Sequence, residues 1–462
     1  MPESLSRTIA IVGSGYSGTA TALQLLRQAR GRPLRIVLVE RGPDFARGLA
    51  YARSAYPYLL NVPASRMSAT ESEPGDFLRY AQRRRASVTA DDFLPRVWYG
   101  DYLQELLVAA AAGAGDAARL EERRGEVVDL TVTGEASSAI LTFADGQRLA
   151  ADDVVLALGT PSPSLPAGVR CTAAGPALRS DPWAPAPSVA GRGPLLVIGT
   201  GLTMIDVVCA AVDREPGVVI HALSRHGLLP PSQTAFRPDA LHDDGGLLAT
   251  AAGSTAKLVA AVRRLAREAE RRGGDWREAV THVRRQAPRL WSSLSDSERG
   301  RFLRHVRTYW DIHRHRVPAP VLERLDALRT GGQLLVHAGR LLSLEPVAGG
   351  VRAVWRSRGT GQLRTLEATA VVNCTGPDYN VTRSPDRLWR ALLNRGLAVP
   401  DEQALGIRTG AFGALIGRDG STSRHVYYVG PLLRADHWEA TAVGELRVHA
   451  ERLASVLLDR SR

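Results

Sequence analysis

The sequence predicts an α/β fold: two dinucleotide-binding (Rossmann-like) three-layer domains, the second carrying a helical insertion. Three observations predict it. A short apolar run, a glycine-rich turn, a helical pattern and a second apolar run occur in that order twice, with first glycines Gly13 and Gly199 about 186 residues apart. After the second of these units, residues 257–316 place apolar residues at helical spacing, among them Trp276, Val280, Val283, Ala287, Leu290, Phe302, Val306 and Trp310. At 462 residues, 44% hydrophobic and 23% charged, the chain has the length for two to three domains and too much apolar content for disorder.

The elements follow in order. Thr8–Val12 reads as a strand, GSGYSG (13–18) as a tight turn, and the run through Leu23, Leu25 and Leu26 as a helix. Leu34–Val39 reads as the next strand, ending at Glu40. Asp101–Ala112 reads as a helix with Asp101 available to its first turn. Strands are expected at Val127–Val132, Ala139–Phe143 and Asp153–Leu158, the last closed by Gly159. The proline-, glycine- and serine-rich stretch from Pro161 to Pro194 reads as an inter-domain connection. The second unit runs through Leu195–Ile198, GTGLTMID (199–206) and Val218–Leu223. Strand character returns at Gln333–Val336, Val351–Trp355, Ala370–Asn373 and Val426–Val429, and a closing helix is expected from Trp438 to Leu457. The domain reading is 1–165 and 366–462 for a first domain built on the first unit, and 190–365 for a second built on the second unit, with its insert at 240–330.

The net charge is +12, and Lys257 is the only lysine, so nearly all the basic residues are arginine, which stays charged and grips phosphate in a planar fork. Residues 257–316 hold sixteen basic and seven acidic residues, a net of +9. The balance favours acidic partners: phosphate-bearing cofactors, an anionic substrate or nucleic acid. Nucleic acid is disfavoured, because the basic segment has core-type helical spacing and carries no RNA-binding motif. Cys171, Cys209 and Cys374 are far apart with no CxxC, which excludes a disulfide framework, a zinc ribbon and a CxxC-type reductase. His313-Arg314-His315-Arg316 is read as a basic helix end rather than a metal site, since histidines two apart face different sides of a helix and arginines oppose a cation. No metal is expected. No apolar run is long enough to span a membrane and no signal peptide is read, so a cytoplasmic location is expected.

Two constellations carry chemistry. In Gly13-x-Gly15-x-x-Gly18 the first glycine permits the turn, the second admits a pyrophosphate to the backbone, and the third lets the helix pack close to the sheet. The helix N-terminus supplies amide donors and positive potential. Glu40 stands where a carboxylate accepts from ribose hydroxyls, which disfavours a 2′-phosphate, so this site is expected to hold FAD or NAD rather than NADP. The second turn has Gly199 and Gly201, with Thr203 inside it, but Met204 stands at the third glycine position. Its following strand ends in Ser224-Arg225-His226 instead of an acid. If Arg225 grips a 2′-phosphate rather than standing solvated in its loop, about 1.5–3 kcal/mol per charge-assisted bond predicts roughly a 10–100-fold preference for NADPH over NADH. Two sites of opposite charge preference imply a flavoprotein reduced by NADPH.

The chain resembles flavoproteins of the FAD/NAD(P)-binding group typified by the HpyO-type FAD-dependent urate hydroxylase. It is more distantly similar to class B flavin monooxygenases and the ornithine and lysine N-hydroxylases. The marks are GSGYSG (13–18), LLNVPASRMSA (59–69), DFLPRVWYGDYL (92–103), VVLALGTPSP (154–163) and VIGTGLTMIDVV (197–208). ALSRHGLLP (222–230), YWDIHRHR (309–316), NCTGP (373–377) and VGPLLRADHWEATAVGELR (429–447) complete them. The FxGxxxHxxx(W/Y/F) fingerprint of Baeyer–Villiger enzymes is absent. The resemblance implies that Gly13, Gly15, Tyr16, Ser17, Gly18 and Glu40, with Arg41 beside it, hold the FAD phosphates and adenosine ribose. It sets Asn61 and Val62 near the flavin ring or ribityl chain, and Val128 (or Val127) against adenine. Gly159 closes the first unit, and Thr375 and Gly376 mark the return from the NADPH domain. Gly430, Leu432, Trp438, Glu439 and Thr441 lie where the last helix N-terminus faces the flavin.

The implied activity is an NADPH- and FAD-dependent monooxygenase hydroxylating nitrogen or carbon of a small metabolite through a flavin C4a-(hydro)peroxide, with molecular oxygen as co-substrate. The alternatives are an NADPH-dependent flavin dehydrogenase or reductase without oxygen transfer and, remotely, a nucleic-acid-binding flavoprotein. Such chemistry needs little acid–base help beyond a dry pocket and hydrogen bonds to the flavin. Asn61 and His437, the latter between Asp436 and Glu439, are the catalytic candidates, and Arg66 and Arg96 are candidate clamps for an anionic substrate. Asn61 closing its own turn and His437 as a packing residue are the plainer readings.

Overall fold

A computed structural model describes residues 7–54, 56–115, 117–133, 138–183, 193–234 and 246–460. The N-terminal six residues, part of the expected connection (184–192) and the start of the expected insert (240–245) lie outside them. Contacts divide the chain into two units. One comprises Met1–Thr160, Ala287–Ser293 and Tyr379–Arg462; the other comprises Pro161–Gln286 and Leu294–Asp378.

The first unit is built on a six-stranded sheet in the order Ala414–Ile416, Thr422–Tyr428, Asp153–Leu156, Arg7–Val12, Leu34–Glu40, Ala118–Arg124. All neighbours are parallel except the Ala414–Ile416 hairpin pair. The alternation of strand side chains sorts the apolar residues onto two faces. Ile9, Ile11, Ile36 and Leu38 join the core beneath the helices Tyr16–Gln28, Arg96–Gly113 and Val443–Asp459. Ala10, Val12, Val37 and Val39 join a second core under the three-stranded sheet Val127–Thr133, Ser138–Phe143, Arg148–Ala151 and the helix Arg387–Arg395. Val12 is in register with both Val39 and Leu156, and Leu156 with Tyr428, so the turns after these strands open along one edge of the sheet. That edge is where open α/β sheets place ligands.

The second unit repeats the plan. Its eight-stranded sheet runs Leu363–Ala368, Gly350–Ser357, Leu334–Val347, Ile220–Ser224, Leu195–Ile198, Ala370–Asn373, Leu178–Arg179, with Arg170–Cys171 added beside Leu334–Val347. The strands from Leu334–Val347 to Leu178–Arg179 are parallel. Between Ile220–Ser224 and Leu334–Val347 come the helices Leu247–Ala251, Thr255–Arg271, Trp276–Ser293, Asp296–His305, Arg307–Arg314 and Ala319–Thr330, the last residues of Trp276–Ser293 counting with the first unit.

Several expected boundaries move. The strand from Asp153 stops at Leu156; the next residue, Ala157, lies against the first glycine turn, its carbonyl oxygen where a Cβ on Gly13 would stand. The strand expected from Val218 starts at Ile220, after Gly217 turns the chain in the left-handed region. The helix expected from Asp101 starts at Arg96 behind Pro95, and Asp101 serves ion pairs with Arg47 and Arg84 instead of the first turn. The closing helix starts at Val443, not Trp438. A short 3-10 turn, Pro431–Ala435, precedes it. The proline-rich connection contributes two short strands to the second sheet, so it is not merely a tether. Ala118–Arg124, sequence ARLEERR, is a strand that its sequence does not announce, since its charged residues show no apolar run.

Candidate functional site

The first glycine turn is a cradle defined by what it cannot hold. Gly13 has φ +103°, and its N–H donates to Val39 O at 2.8 Å. A Cβ on Gly18 would collide with Gly13 O. Gly15 caps the helix Tyr16–Gln28, with Tyr16, Ser17 and Gly18 in the first turn, where amides lack intrahelical acceptors. No acidic residue occupies that turn, so its dipole end is open to an anion. Tyr16 is buried and its hydroxyl donates to Ala69 O at 3.1 Å, fixing the helix start.

Glu40 does more than wait for a ribose. The Ser14 N–H and hydroxyl both donate to its Oε2, at 2.9 and 2.8 Å, and the Gly42 N–H donates to Oε1 at 2.8 Å. The carboxylate therefore ties the glycine turn to the end of the second strand. Arg41 points to Asp386 (3.2 Å), the residue that caps the helix Arg387–Arg395.

Asn61 and Val62 follow the isolated bridge Leu59–Pro95, both half-buried. The Asn61 amide has no hydrogen-bond partner among the described residues, so it does not close its own turn. Arg96 donates from Nε to Leu59 O at 3.0 Å and so braces this loop. Arg66 is exposed at the end of the 3-10 turn Ala64–Arg66. Val127 is buried in the core, whereas Val128 sits at a register shift between Val127 and Asp129. Gly159 has φ +73° in open space. Gly430 has φ +149°, and the next turn is pinned by the Leu432 N–H donating to the Tyr428 hydroxyl at 3.1 Å. Trp438 is buried, 4.8 Å from the ring of Trp291 and under the guanidinium of Arg434 at 3.8 Å. Glu439 is buried and Thr441 half-buried just before the last helix.

His437 lies 4.6 Å from the ring of His449 on the last helix. Asp436 does not orient it; that carboxylate accepts from the Thr409 N–H and hydroxyl. Burial lowers the pKa of both imidazoles, that of His449 to about 4, so the pair is neutral near pH 7.

Two adjacent residues that sequence reasoning missed belong to the loop that lies against the first glycine turn. Gly48, at φ +57°, lies against that turn, and a Cβ there would stand 2.7 Å from Gly15 Cα. Arg47 is only 1% exposed, pairs with Asp101 and donates to Gln104 Oε1 at 2.8 Å. Neither has a local sequence signal, because the contacts are across space.

The second turn reproduces the first. Gly199 has φ +107°, its N–H donates to Leu223 O at 2.8 Å, and a Cβ would collide with Cys374 O. Gly201 caps the helix Leu202–Arg214, which holds Thr203 in its first turn. Met204 is fully buried, so the helix seats a side chain where the first turn needs glycine. Ser224 Oγ accepts from the Gly227 N–H at 2.9 Å and lies 2.9 Å from Thr200 Oγ1. Arg225 is exposed, with Nη2 3.5 Å from Thr308 Oγ1. Thr375 bonds Asn373 Oδ1 (2.7 Å) and Ser164 O (3.0 Å), and Gly376 follows at φ +85°. Asn373 is buried with Nδ2 unpartnered beside this turn, a residue that only the strand register reveals.

Residues 10–161 match a family profile described as FAD-NAD(P)-binding. Compared with curated proteins, nothing matches the sequence significantly. Among solved structures, the chain is similar to the L-lysine 6-monooxygenase of Pseudomonas syringae, with 18% identity, TM-score 0.66 and coverage of 98% of this chain and 99% of that one. It is similar to the ornithine hydroxylase of Pseudomonas aeruginosa at 16% identity and TM-score 0.64, again over 98% and 99% of the two chains. The ornithine N-hydroxylase of Kutzneria sp. 744, in a structure described with reduced FAD, NADP+ and L-ornithine, shares 15% identity and TM-score 0.64 over the same shares. The chain thus carries an FAD-NAD(P)-binding domain in residues 10–161 and shares the fold of these solved hydroxylases and monooxygenase.

Proposed function

We propose that the protein is an NADPH- and FAD-dependent monooxygenase that hydroxylates a small metabolite, at an amine nitrogen. The observation that carries this is the pair of matched glycine turns with opposite endings: Glu40 bonded into the first, Ser224 and Arg225 at the second. The first suits an unphosphorylated adenosine ribose and the second a 2′-phosphorylated one. The amine substrate class rests on the ornithine and lysine hydroxylases of like fold.

The residues fit FAD. The cradle at Gly13, Gly15 and Gly18 leaves no room for a Cβ at its first and third glycines, and the helix dipole faces it. Bound there, FAD would accept hydride from NADPH and activate oxygen. The chain's own part is to bind, orient and exclude water. The amides of the helix start would hold the pyrophosphate. Glu40, shared between the turn and the ribose, would set their spacing. The uncommitted Asn61 amide supplies a donor and an acceptor for the ring or substrate. His437, neutral near pH 7, would act as a hydrogen-bonding group or proton acceptor rather than a fixed cation.

The test uses the purified holoprotein. NADPH should bleach the flavin absorbance anaerobically, and small amines (ornithine, lysine, cadaverine) should raise oxygen-dependent NADPH consumption. Label from 18O2 should enter the product. No bleaching overturns the reading; bleaching with no label in any product favours the dehydrogenase or reductase reading.

A further inference from the structure

We propose that the helical insert and an adjoining hairpin complete the adenosine end of the NADPH site, with Tyr309 as the stacking platform for adenine and Arg358 as a second arm, beside Arg225, gripping the 2′-phosphate. This rests on the NADPH reading above and extends it to two residues no glycine-turn motif contains.

Three chain segments of the second unit converge at one point. Ser224-Arg225-His226 ends the strand after the Gly199 turn, where the ribose 2′ edge lies in such folds. Arg358 follows the strand Gly350–Ser357. Its N–H donates to Ala338 O at 2.9 Å, and Ala338 is in register with Ser224, so the arginine is held beside the strand end. Its Nη1 lies 2.7 Å from His226 Nδ1. A guanidinium only donates, so that nitrogen must be unprotonated, consistent with the lowered pKa that burial, Arg358 and Arg225 give His226. From the other side comes the helix Arg307–Arg314. Thr308 reaches Arg225, and the ring of Tyr309 stands 5.8 Å from that of His226.

Two features point to a ligand. Among the described residues neither Arg225 nor Arg358 forms an ion pair with a carboxylate. Paired guanidiniums facing one imidazole, without an acid, make a receptor for a dianion. Beside them Tyr309 leaves 45% of its surface exposed, a cost in water that a stacked base would offset. A phosphate and an aromatic base on one ribose satisfy both features at once.

The probes are 2′,5′-ADP and 5′-AMP, titrated calorimetrically into the FAD-loaded protein. Arg358→Ala should weaken 2′,5′-ADP by about 10-fold, one screened charge-assisted contact, and leave 5′-AMP within twofold. Tyr309→Ala should weaken both probes by the same factor, about 5–20-fold, the range of base–aromatic stacking. Tyr309→Phe should retain affinity, because the ring and not the hydroxyl carries it. Both positions are exposed, and unchanged flavin content and circular dichroism verify the fold of each variant. Wild-type protein that binds neither probe overturns the NADPH reading itself. Wild-type binding with either alanine variant unchanged overturns this inference and leaves that reading standing.

Discussion

Gly48→Ala tests whether the loop over the first glycine turn is part of the cofactor cradle. Gly48 occupies the left-handed region at φ +57°, where a Cβ costs about 1–2 kcal/mol. That Cβ would also stand 2.7 Å from Gly15 Cα, a backbone atom that can relieve the clash only by moving. If Gly15 yields, the amides of the helix it caps shift away from the pyrophosphate. Losing one such charge-assisted bond, about 1.5–3 kcal/mol, weakens FAD roughly 10–100-fold. Titration of apoprotein with FAD, followed by flavin fluorescence, measures this; thermal unfolding of the apoprotein measures the strain separately. The control is Gly31→Ala. Gly31 shares the left-handed conformation, φ +81°, but a methyl added there would meet nothing within 4 Å, so it should lose about 1 kcal/mol of stability and keep its FAD affinity. If both variants lose stability alike and Gly48→Ala binds FAD within twofold of wild type, the coupling between loop and cradle is refuted.

Other outcomes follow from the same geometry. Glu40→Ala removes the acceptor for Ser14 and Gly42 and should weaken FAD by roughly 10-fold or more, read by the same titration. Arg47→Met strands part of the buried pairing with Asp101 and should cost about 2–4 kcal/mol in urea unfolding. His449, whose pKa is lowered to about 4 from an unfolded value near 6.5, is neutral when folded. Its contribution is complete above about pH 6.5 and is lost as pH falls toward 4, by up to about 3 kcal/mol, because the unfolded chain takes the proton first. His449→Phe should flatten that acid limb of the stability profile. Arg225→Ala should cut the NADPH-over-NADH preference in anaerobic flavin reduction by roughly 10-fold.

What the sequence made legible was what repeats or is local. Gly13 and Gly199 announce themselves by a strand before and a helix after, and both adopt the same left-handed turn bonded to the neighbouring strand end. Glu40 was legible as an acid in the ribose position, but its bonds to Ser14 were not, since any carboxylate at a strand end invites the simpler reading. Ala118–Arg124 escaped because an edge strand needs no apolar run: its neighbour Leu34–Glu40 supplies the ladder and its arginines and glutamates face water. The last helix starts later than its sequence suggests because Trp438 reads as a helical apolar residue, whereas it is packed between Trp291 and Arg434 ahead of the helix. Gly48, Arg358 and Tyr309 belong to a third class. Each gains its meaning from a partner far off in the chain, and no spacing rule reaches that far.

Charge shows the difference between a sum and a site. Nine of the twelve net positive units lie in 257–316, yet many arginines there are spent on acids one helical turn away: Arg271 and Arg272 on Glu268, Arg301 on Glu298, Arg307 on Asp311. Exposed pairs of that kind contribute little to stability and are screened by salt. Arg225 and Arg358, which meet no acid among the described residues, lie outside the segment altogether. A charge-steering account predicts that replacing Arg271 and Arg272 together with glutamine weakens 2′,5′-ADP as much as losing Arg358 does. The local account predicts a change under twofold at physiological salt, where charges beyond about 8 Å are largely screened. Repeating the titration at low salt separates the two: a long-range field from the insert would grow as salt falls and vanish in the double variant, while a phosphate grip by Arg225 and Arg358 would strengthen equally in both proteins.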